Sequence, residues 1–202
     1  MFSDANESRQ AVLESAIEAF ASKGYAGTSV QDILSVTGLS KPTLYYYFQS
    51  KAGLFQAILN FAYDESFRLI QERSDEAGKC RDKLIEIAAA LFEFTSKHRD
   101  LMRLVLGTAF AAPGELPSDA IHPQKRLRFF DLVKAIVADG QASGELDQRF
   151  DCEELAHGVL GAITHQVRTS LIRPEAPLNR KRAQGIVTLF FEGARNRKRS
   201  PQ

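Results

Sequence analysis

Gly24-Tyr25-Ala26-Gly27-Thr28-Ser29-Val30-Gln31-Asp32-Ile33, then Gly38-Leu39-Ser40-Lys41-Pro42-Thr43-Leu44-Tyr45-Tyr46-Tyr47-Phe48, then Ser50-Lys51 with Leu54-Phe55, is the stretch that decides the fold. Thr28 and Ser29 are both good N-cap residues, because a short side-chain oxygen can accept an otherwise unpaired N–H of a first helical turn. Gln31 and Asp32 each lie three residues beyond one of them, the spacing of a capping box. This predicts a short helix over Val30–Val36, closed by the tight turn Thr37-Gly38-Leu39. Ser40 caps a second helix, which tolerates Pro42 in its first turn because the N–H lost there has no intrahelical partner. Gln49-Ser50-Lys51 breaks that helix, and a longer one runs from about Ala52 into the 70s. Two short helices joined by a three- to four-residue turn containing glycine make a helix-turn-helix.

Upstream, Leu13, Ala16, Ile17 and Phe20 recur at helical spacing and give the preceding helix one apolar face. Lys23-Gly24 ends it, with a cation in the last turn and glycine where a left-handed cap is wanted. On the second helix of the motif, Leu44 and Phe48 are four apart and pack inward together. Pro42, Thr43 and Tyr46 then point away from the core, flanked by Lys41, Tyr45 and Tyr47. Three consecutive tyrosines on a solvent-facing helix cost solubility unless something covers them. Sugar and base edges would suit the rings, and phosphates their hydroxyls. Lys41 can reach a guanine edge or a phosphate, and Ser50-Lys51 open a helix whose N-terminal amides suit a phosphate oxygen.

The charge pattern bears on the same stretch. Net charge is +1, yet residues 1–75 hold 6 basic against 9 acidic side chains, a poor bulk balance for nucleic acid. Locally, the 31 residues from Ile33 to Tyr63 contain no Asp or Glu and do contain Lys41 and Lys51. A surface that must approach phosphates lacks carboxylates, which would repel them. A partly buried stretch with little room for charge looks the same in composition, so the motif has to decide.

Working outward, no proline falls between Pro42 and Pro113 or between Pro123 and Pro174, and period-2 alternation is absent, so the chain reads as all-α. Further helices are predicted at about Cys80–Lys97, Asp100–Ala109, Pro123–Ala142, Glu153–Leu171 and Arg180–Arg195. Pro113, Pro117 and Pro123 mark one loop and Pro174 and Pro177 another, while Glu76–Lys79 separates a small N-terminal domain from a larger helical one. The run Arg195-Asn196-Arg197-Lys198-Arg199 reads as a solvated end or a non-specific phosphate contact. With 202 residues and 44% apolar content the chain is long enough for an ordinary core. Its polar, acidic start is no signal peptide. The longest stretch free of Asp, Glu, Lys and Arg, the 13 residues Leu155–Val167, is too short for a membrane span. Cys80 and Cys152 make no disulfide framework. A soluble, cytoplasmic protein is expected.

The quoted residues resemble the TetR (tetracycline-repressor-like) family over about residues 8–60, with many residue types agreeing at fixed spacing without gaps. The resemblance implies an N-terminal three-helix DNA-binding domain at residues 1–50, a connecting helix at 51–78, and a C-terminal bundle of about six helices at 79–202 that dimerises and binds a small effector. It implies a homodimeric repressor released by that effector from a palindromic operator in double-stranded DNA; no cofactor, metal or catalytic residues are expected, since neither Gly-x-Ser-x-Gly, His-Glu-x-x-His, a phosphate loop nor a dinucleotide fingerprint occurs. By resemblance, Ser29, Gln31, Ser40, Lys41, Pro42, Thr43, Tyr45, Tyr46, Tyr47 and Lys51 sit where such proteins touch their operator. One departure stands out: the family often has Glu after the Ser-Lys pair, where this chain has Ala52-Gly53, and Gly53 weakens helix propensity in a first turn.

Other constellations are less specific. Gly158, Gly161, Ala162 and His165 line one side of a helix. Ala183, Ile186, Val187, Phe190 and Ala194 recur along the last one. They suit either a dimer interface, for which Gly158, Gly161, Ala162, Ile186 and Phe190 are the candidates, or ordinary intrachain packing. For an effector pocket the candidates are Phe67, Phe92, Met102, Phe110, Phe130 and His165, with Phe129 and His98 in the same pool. Glu154 and His157 form a single Glu-x-x-His, half of a di-iron signature that needs a second copy and two further Glu; none occurs, so the match is read as chance. Cys80 or Cys152 could sense redox state, but nothing in the sequence marks a lowered thiol pKa. The rival readings are a helical-bundle ligand carrier or metal-dependent enzyme with a degenerate helix-turn-helix, and a dimeric interaction protein.

Overall fold

The computed structural model describes residues 2–112, 114–117 and 123–194. The basic run Arg195–Arg199 and the loop proline Pro113 lie outside them. The described residues form nine α-helices: α1 (Phe2–Gly27), α2 (Val30–Leu34), α3 (Lys41–Phe48), α4 (Lys51–Asp75), α5 (Cys80–Lys97), α6 (Arg99–Gly107), α7 (Pro123–Ala142), α8 (Cys152–Ile172) and α9 (Arg180–Ala194). None of the described helices is long and apolar enough to cross a membrane.

Two compact units emerge. The first comprises residues 1–64 and 98–122; the second comprises 65–97 and 123–202. The units do not follow chain order, because α6 packs on α1. The Glu76–Lys79 break separates α4 from α5 inside the second unit's share of the chain.

In the first unit α1 buries Val12, Ser15, Ala16 and Phe20, with Leu13 and Ile17 only half-buried. The buried stripe is therefore turned one residue from the expected one. Ser15 shows why it is not purely apolar: its Oγ donates to the carbonyl of Ile33 at 2.7 Å and ties α1 to α2. Gly24 breaks α1 with φ 74°, a left-handed conformation that glycine adopts without a Cβ penalty. Thr28 closes that break, its Oγ1 donating to the Gly24 carbonyl at 2.7 Å and the Ala19 carbonyl at 3.1 Å. Of the two candidate caps, Ser29 is thus the one that starts α2. Its Oγ accepts the Asp32 N–H at 3.0 Å, and Asp32 Oδ2 accepts the Ser29 N–H at 2.8 Å, a complete capping box.

Ser40 caps α3, with Pro42 in the first turn, and Leu44 and Phe48 are buried. The α3–α4 corner is tight. Gln49 takes φ 63° and donates its N–H to the Tyr45 carbonyl at 2.9 Å; Ser50 N–H donates to the Phe48 carbonyl at 2.7 Å, and Ser50 Oγ accepts the Gly53 N–H at 2.9 Å. A Cβ on Gly53 would fall onto the Phe48 carbonyl oxygen. Gly53 is consequently a close-approach residue, and its poor helix propensity is incidental.

In the second unit α5 touches α7, α8 and α9 and buries residues on nearly every side, including Leu84, Ile87, Ala88, Leu91, Phe92 and Phe94. The Asp151 carboxylate caps α8 by accepting the N–H groups of Glu153 (2.8 Å) and Glu154 (3.0 Å). Cys80 opens α5 against Gly140 of α7, with its N–H donated to Glu145 Oε1 at 3.2 Å. Arg73 from the end of α4 and Arg180 from the start of α9 both pair with Glu86 of α5.

Candidate nucleic-acid interface

The outer face of α3 follows from its two buried anchors. With Leu44 fully buried and Phe48 5% exposed, the remaining positions turn outward: Lys41, Pro42, Tyr45 and Tyr46 are exposed, Tyr46 by 81%, while Thr43 and Tyr47 are half-buried. The Tyr46 and Tyr47 rings meet edge-on at 5.1 Å, which stiffens an aromatic ridge along the helix. Arg9 of α1 lies over the Phe48 ring at 5.3 Å and adds a cation near the inner end of that face.

The first helix of the motif presents Gln31 outward; it ends at Leu34, two residues short of the expected Val36, which stands 73% exposed in the turn that follows. Asp32 borders the start of the acid-free window, and it is neutralised locally. Lys23 Nζ donates to its Oδ1 at 2.6 Å, and the hydroxyl and backbone N–H of Ser29 donate to Oδ2. The Lys23 bond above all, then those from Ser29, hold the Asp32 carboxyl well below the usual carboxylate range. An ion pair at this edge lets a polyanion approach without meeting a bare negative charge. Sequence alone identifies Lys23 only as a last-turn cation; the nine-residue spacing to Asp32 becomes a contact through the kink at Gly24.

Lys51 differs from the other candidate contacts. Its Nζ donates to the backbone carbonyls of Tyr25 and Thr28, each at 2.9 Å, and sits 4.3 Å from the centre of the Tyr25 ring. That ring belongs to an aromatic cluster with Phe20 (5.7 Å) and Phe55 (4.9 Å), and burial raises the Tyr25 phenol pKa above its ordinary value. Ser29 is likewise occupied by its capping box, whereas Gln31, Lys41, Tyr45 and Tyr46 present their side chains outward.

The other predicted sites scatter. Phe92 is fully buried core and Met102 is 6% exposed. Phe67 is half-buried beneath the Arg128 guanidinium, 4.5 Å from its ring centre. Phe130, also half-buried, stacks on His157 at 4.4 Å, and His165 is exposed on α8. His98 stands at the N-cap of α6. Phe110, 74% exposed, borders a cavity of about 450 Å³ in the first unit, lined also by Phe20, Tyr25, Phe55, Arg103 and Leu104. On α8 and α9, Gly158 and Gly161 are exposed and Ala162, Ile186 and Phe190 half-buried. A Cβ on Gly158 would lie 3.8 Å from Phe190 Cε2, so these two residues adjoin across α8 and α9. Ala183 and Val187, which the spacing grouped with them, are fully buried within the chain. Glu154 and His157 lie exposed, His157 facing Glu153 at 4.0 Å.

Comparison with known proteins points the same way as the geometry. Residues 12–58 match the bacterial regulatory proteins of the tetR family. A Bacillus subtilis protein described as the uncharacterized HTH-type transcriptional regulator YuxN is 33% identical over 100 residues, 50% of this chain and 34% of YuxN. The chain thus spans about a third of that relative's length. The HTH-type transcriptional repressor KstR2 of Mycolicibacterium smegmatis is 27% identical over 143 residues, 69% of each chain. Among solved structures, the TetR family transcriptional regulator PfmR from Thermus thermophilus superposes with a TM-score of 0.74 at 24% identity, covering 93% of this chain and 99% of PfmR. That likeness extends the fold over both units.

Proposed function

We propose that this chain, which belongs to the tetR family of bacterial regulatory proteins, is a homodimeric repressor that reads a near-palindromic operator with α3 and releases it when a small molecule binds. The observation that carries the reading is the outward face of α3. Lys41, Pro42, Tyr45 and Tyr46 are held out on a helix anchored by Leu44 and Phe48, within a stretch free of carboxylates. Gln31, Ser40, Thr43 and Tyr47 complete the proposed contact set, with Ser29 holding the start of α2. Lys41 and the tyrosine hydroxyls serve phosphates and base edges, and the rings cover sugar. The functional division is a DNA-binding domain at residues 1–50, the connecting helix at 51–78 and an effector and dimerisation domain at 79–202.

The α8–α9 surface with Gly158, Gly161, Ala162, Ile186 and Phe190 supports isologous pairing, since small residues let helices approach and Leu189 beside them is 78% exposed. Two-fold pairing would present two copies of α3 about 34–36 Å apart, one helical turn of DNA. The effector then acts by preferring a different separation of the two copies, so that ligand and operator oppose each other through one reciprocal coupling energy. The site we assign to it is the cavity where Leu104 and Phe110 of the 79–202 division meet Phe20 and Tyr25 of α1 and Phe55 of α4, so the effector site draws on all three divisions of the chain. The test is selection from random duplex DNA by the purified protein, with a Lys41→Ala/Tyr45→Ala control. An inverted repeat enriched by the native chain and absent from the control is the expected result. Folded protein that enriches nothing at low salt would overturn the reading, and would favour the ligand-carrier alternative.

A further inference from the structure

We infer that Lys51 is a positioning residue, an internal clamp that sets the helix-turn-helix against the start of α4 without contacting the nucleic acid. The inference rests on the DNA-reading role proposed above. Helix ends leave carbonyls without intrahelical partners; here the backbone gives the Tyr25 carbonyl one long bond, from the Thr28 N–H at 3.4 Å, and the Thr28 carbonyl lies just beyond the end of α1. An ammonium carries three donors and no acceptor. Two of the Lys51 donors are committed to these carbonyls at 2.9 Å, and the face of the Tyr25 ring, 4.3 Å away, takes up the charge. A phosphate would have to compete with bonds already made in a half-buried place.

The location gives the clamp its consequence. Thr28 immediately precedes Ser29, the cap of α2, and Lys51 is the first residue of α4. One side chain therefore spans 23 and 26 residues of sequence to join the entry of the reading motif to the helix that follows it. Ser15 holding Ile33 and Thr28 holding Gly24 fix α2 against α1; Lys51 supplies the tie to α4. Removing the ammonium frees α2 and α3 to rock about the α3–α4 corner, which misaligns the Tyr45–Tyr46 face while leaving every outward side chain in place.

Lys51→Met keeps the length of the side chain and removes the charge and donors; Lys51→Gln keeps one donating amide, and Lys51→Arg keeps charge and several donors. Each is measured for thermal midpoint without DNA and, well below every midpoint, for affinity to the selected duplex across a salt series. Lys51→Met is expected to lower the midpoint by about 3–6 °C and to weaken binding about tenfold. The slope of log affinity against log salt should stay that of the native chain, because no phosphate contact is lost, and Lys51→Arg should recover at least half of both effects. A direct phosphate contact predicts the reverse: an unchanged midpoint and a slope shallower by about 0.9 for each contact removed. That result overturns the clamp, as does a lowered midpoint with full affinity, or no effect at all. If Lys51→Met does not fold, Lys51→Gln carries the same comparison. A native chain that binds no duplex overturns the DNA reading and the clamp's purpose with it, whereas a flattened slope over intact native binding overturns the clamp alone.

Discussion

Replacing Gly53 with alanine sets two effects of opposite sign against each other. Glycine is a poor helix residue, and alanine in the first turn of α4 gains up to about 1 kcal/mol on propensity. Against this, the new Cβ falls onto the carbonyl oxygen of Phe48 and comes within 3.4 Å of both that carbonyl's carbon and Ser50 Oγ. A flexible side chain there could swing aside; this carbonyl is held. It accepts the Ser50 N–H at 2.7 Å, and the next residue, Gln49, is already at φ 63° with its own N–H bonded to Tyr45 at 2.9 Å. Overpacking costs about 1–3 kcal/mol where surroundings can relax, and a bonded backbone puts Gly53→Ala at the upper end, about 3 kcal/mol. The net is about 2 kcal/mol of destabilisation, or a midpoint lower by about 4–8 °C for a chain of this length. The assay is thermal melting followed by helical circular dichroism, with Gly78→Ala as control. Gly78 lies between α4 and α5 with nothing within 4 Å of its would-be Cβ and no left-handed φ, so that change should leave the midpoint level or raise it slightly. Gly53→Ala melting at or above the native chain would mean that propensity dominates and the corner tolerates a side chain, refuting the close-approach argument.

Gly140→Ala should cost about 1–3 kcal/mol in urea unfolding, because its Cβ would lie 2.5 Å from Cys80 Sγ, 2.9 Å from Cys80 Cβ and 3.2 Å from Leu146 Cδ1. Adding Cys80→Ala should recover part of that loss, and strict additivity of the two changes would argue against the contact. Burial, then the carboxylates of Glu145 and Asp139, push the Cys80 thiol up to about 12; in the native chain it should therefore react with an aromatic disulfide far more slowly than half-exposed Cys152, and equal rates would contradict this. The guanidinia of Arg180 and Arg73 hold Glu86 below the usual carboxylate range. A folded pKa below the unfolded one gives stability that is fully present above about pH 4.3 and lost as pH falls through the depressed folded value. Glu86→Gln should flatten the dependence of the melting midpoint on pH between about 5 and 3, and identical slopes in the two chains would sink the claim.

What the sequence discloses here is mostly local chemistry. Helix starts at Ser29 and Ser40 are readable, because a cap is a contact between residues three apart, and the start of α8 falls one residue before the expected Glu153. The Thr28–Ser29 choice is not: both can cap, and Thr28 is diverted by the left-handed break at Gly24, whose carbonyl needs a donor. The face of α1 comes out one residue away from its periodicity for a related reason. Ser15 looks polar to any periodicity argument, yet it is buried because the Ile33 carbonyl, 18 residues on, takes its hydroxyl. Gly53 reads as a weakness when considered as a helix residue; only the return of the chain at the α3–α4 corner turns it into a requirement. The assignment of α6 to the first unit is likewise out of reach, since nothing in residues 99–107 taken alone states that they pack on α1.

The same distinction runs through the candidate sites. The outward face of α3 can be read because Leu44 and Phe48, four apart, settle the helix rotation and everything else follows from it. The pocket candidates cannot be read because aromatic residues serve core and cavity equally. Phe92 goes to the core and Phe110 to a cavity wall, a difference decided by neighbours and not by residue type. Lys51 shows the problem most sharply. A lysine opening a helix beside a reading motif is, by type and position, a phosphate ligand, and the helix N-terminus strengthens that expectation. What redirects it is a competing pair of acceptors created by another event, the kink at Gly24 after which the carbonyls of Tyr25 and Thr28 lie within its reach. The ammonium bonds whichever oxygen is held in place before DNA arrives, and two backbone carbonyls on a rigid turn are present at all times. A cation near a nucleic-acid interface is therefore assigned by counting the acceptors the fold has already put around it, and for Lys51 that count favours the protein over the phosphate.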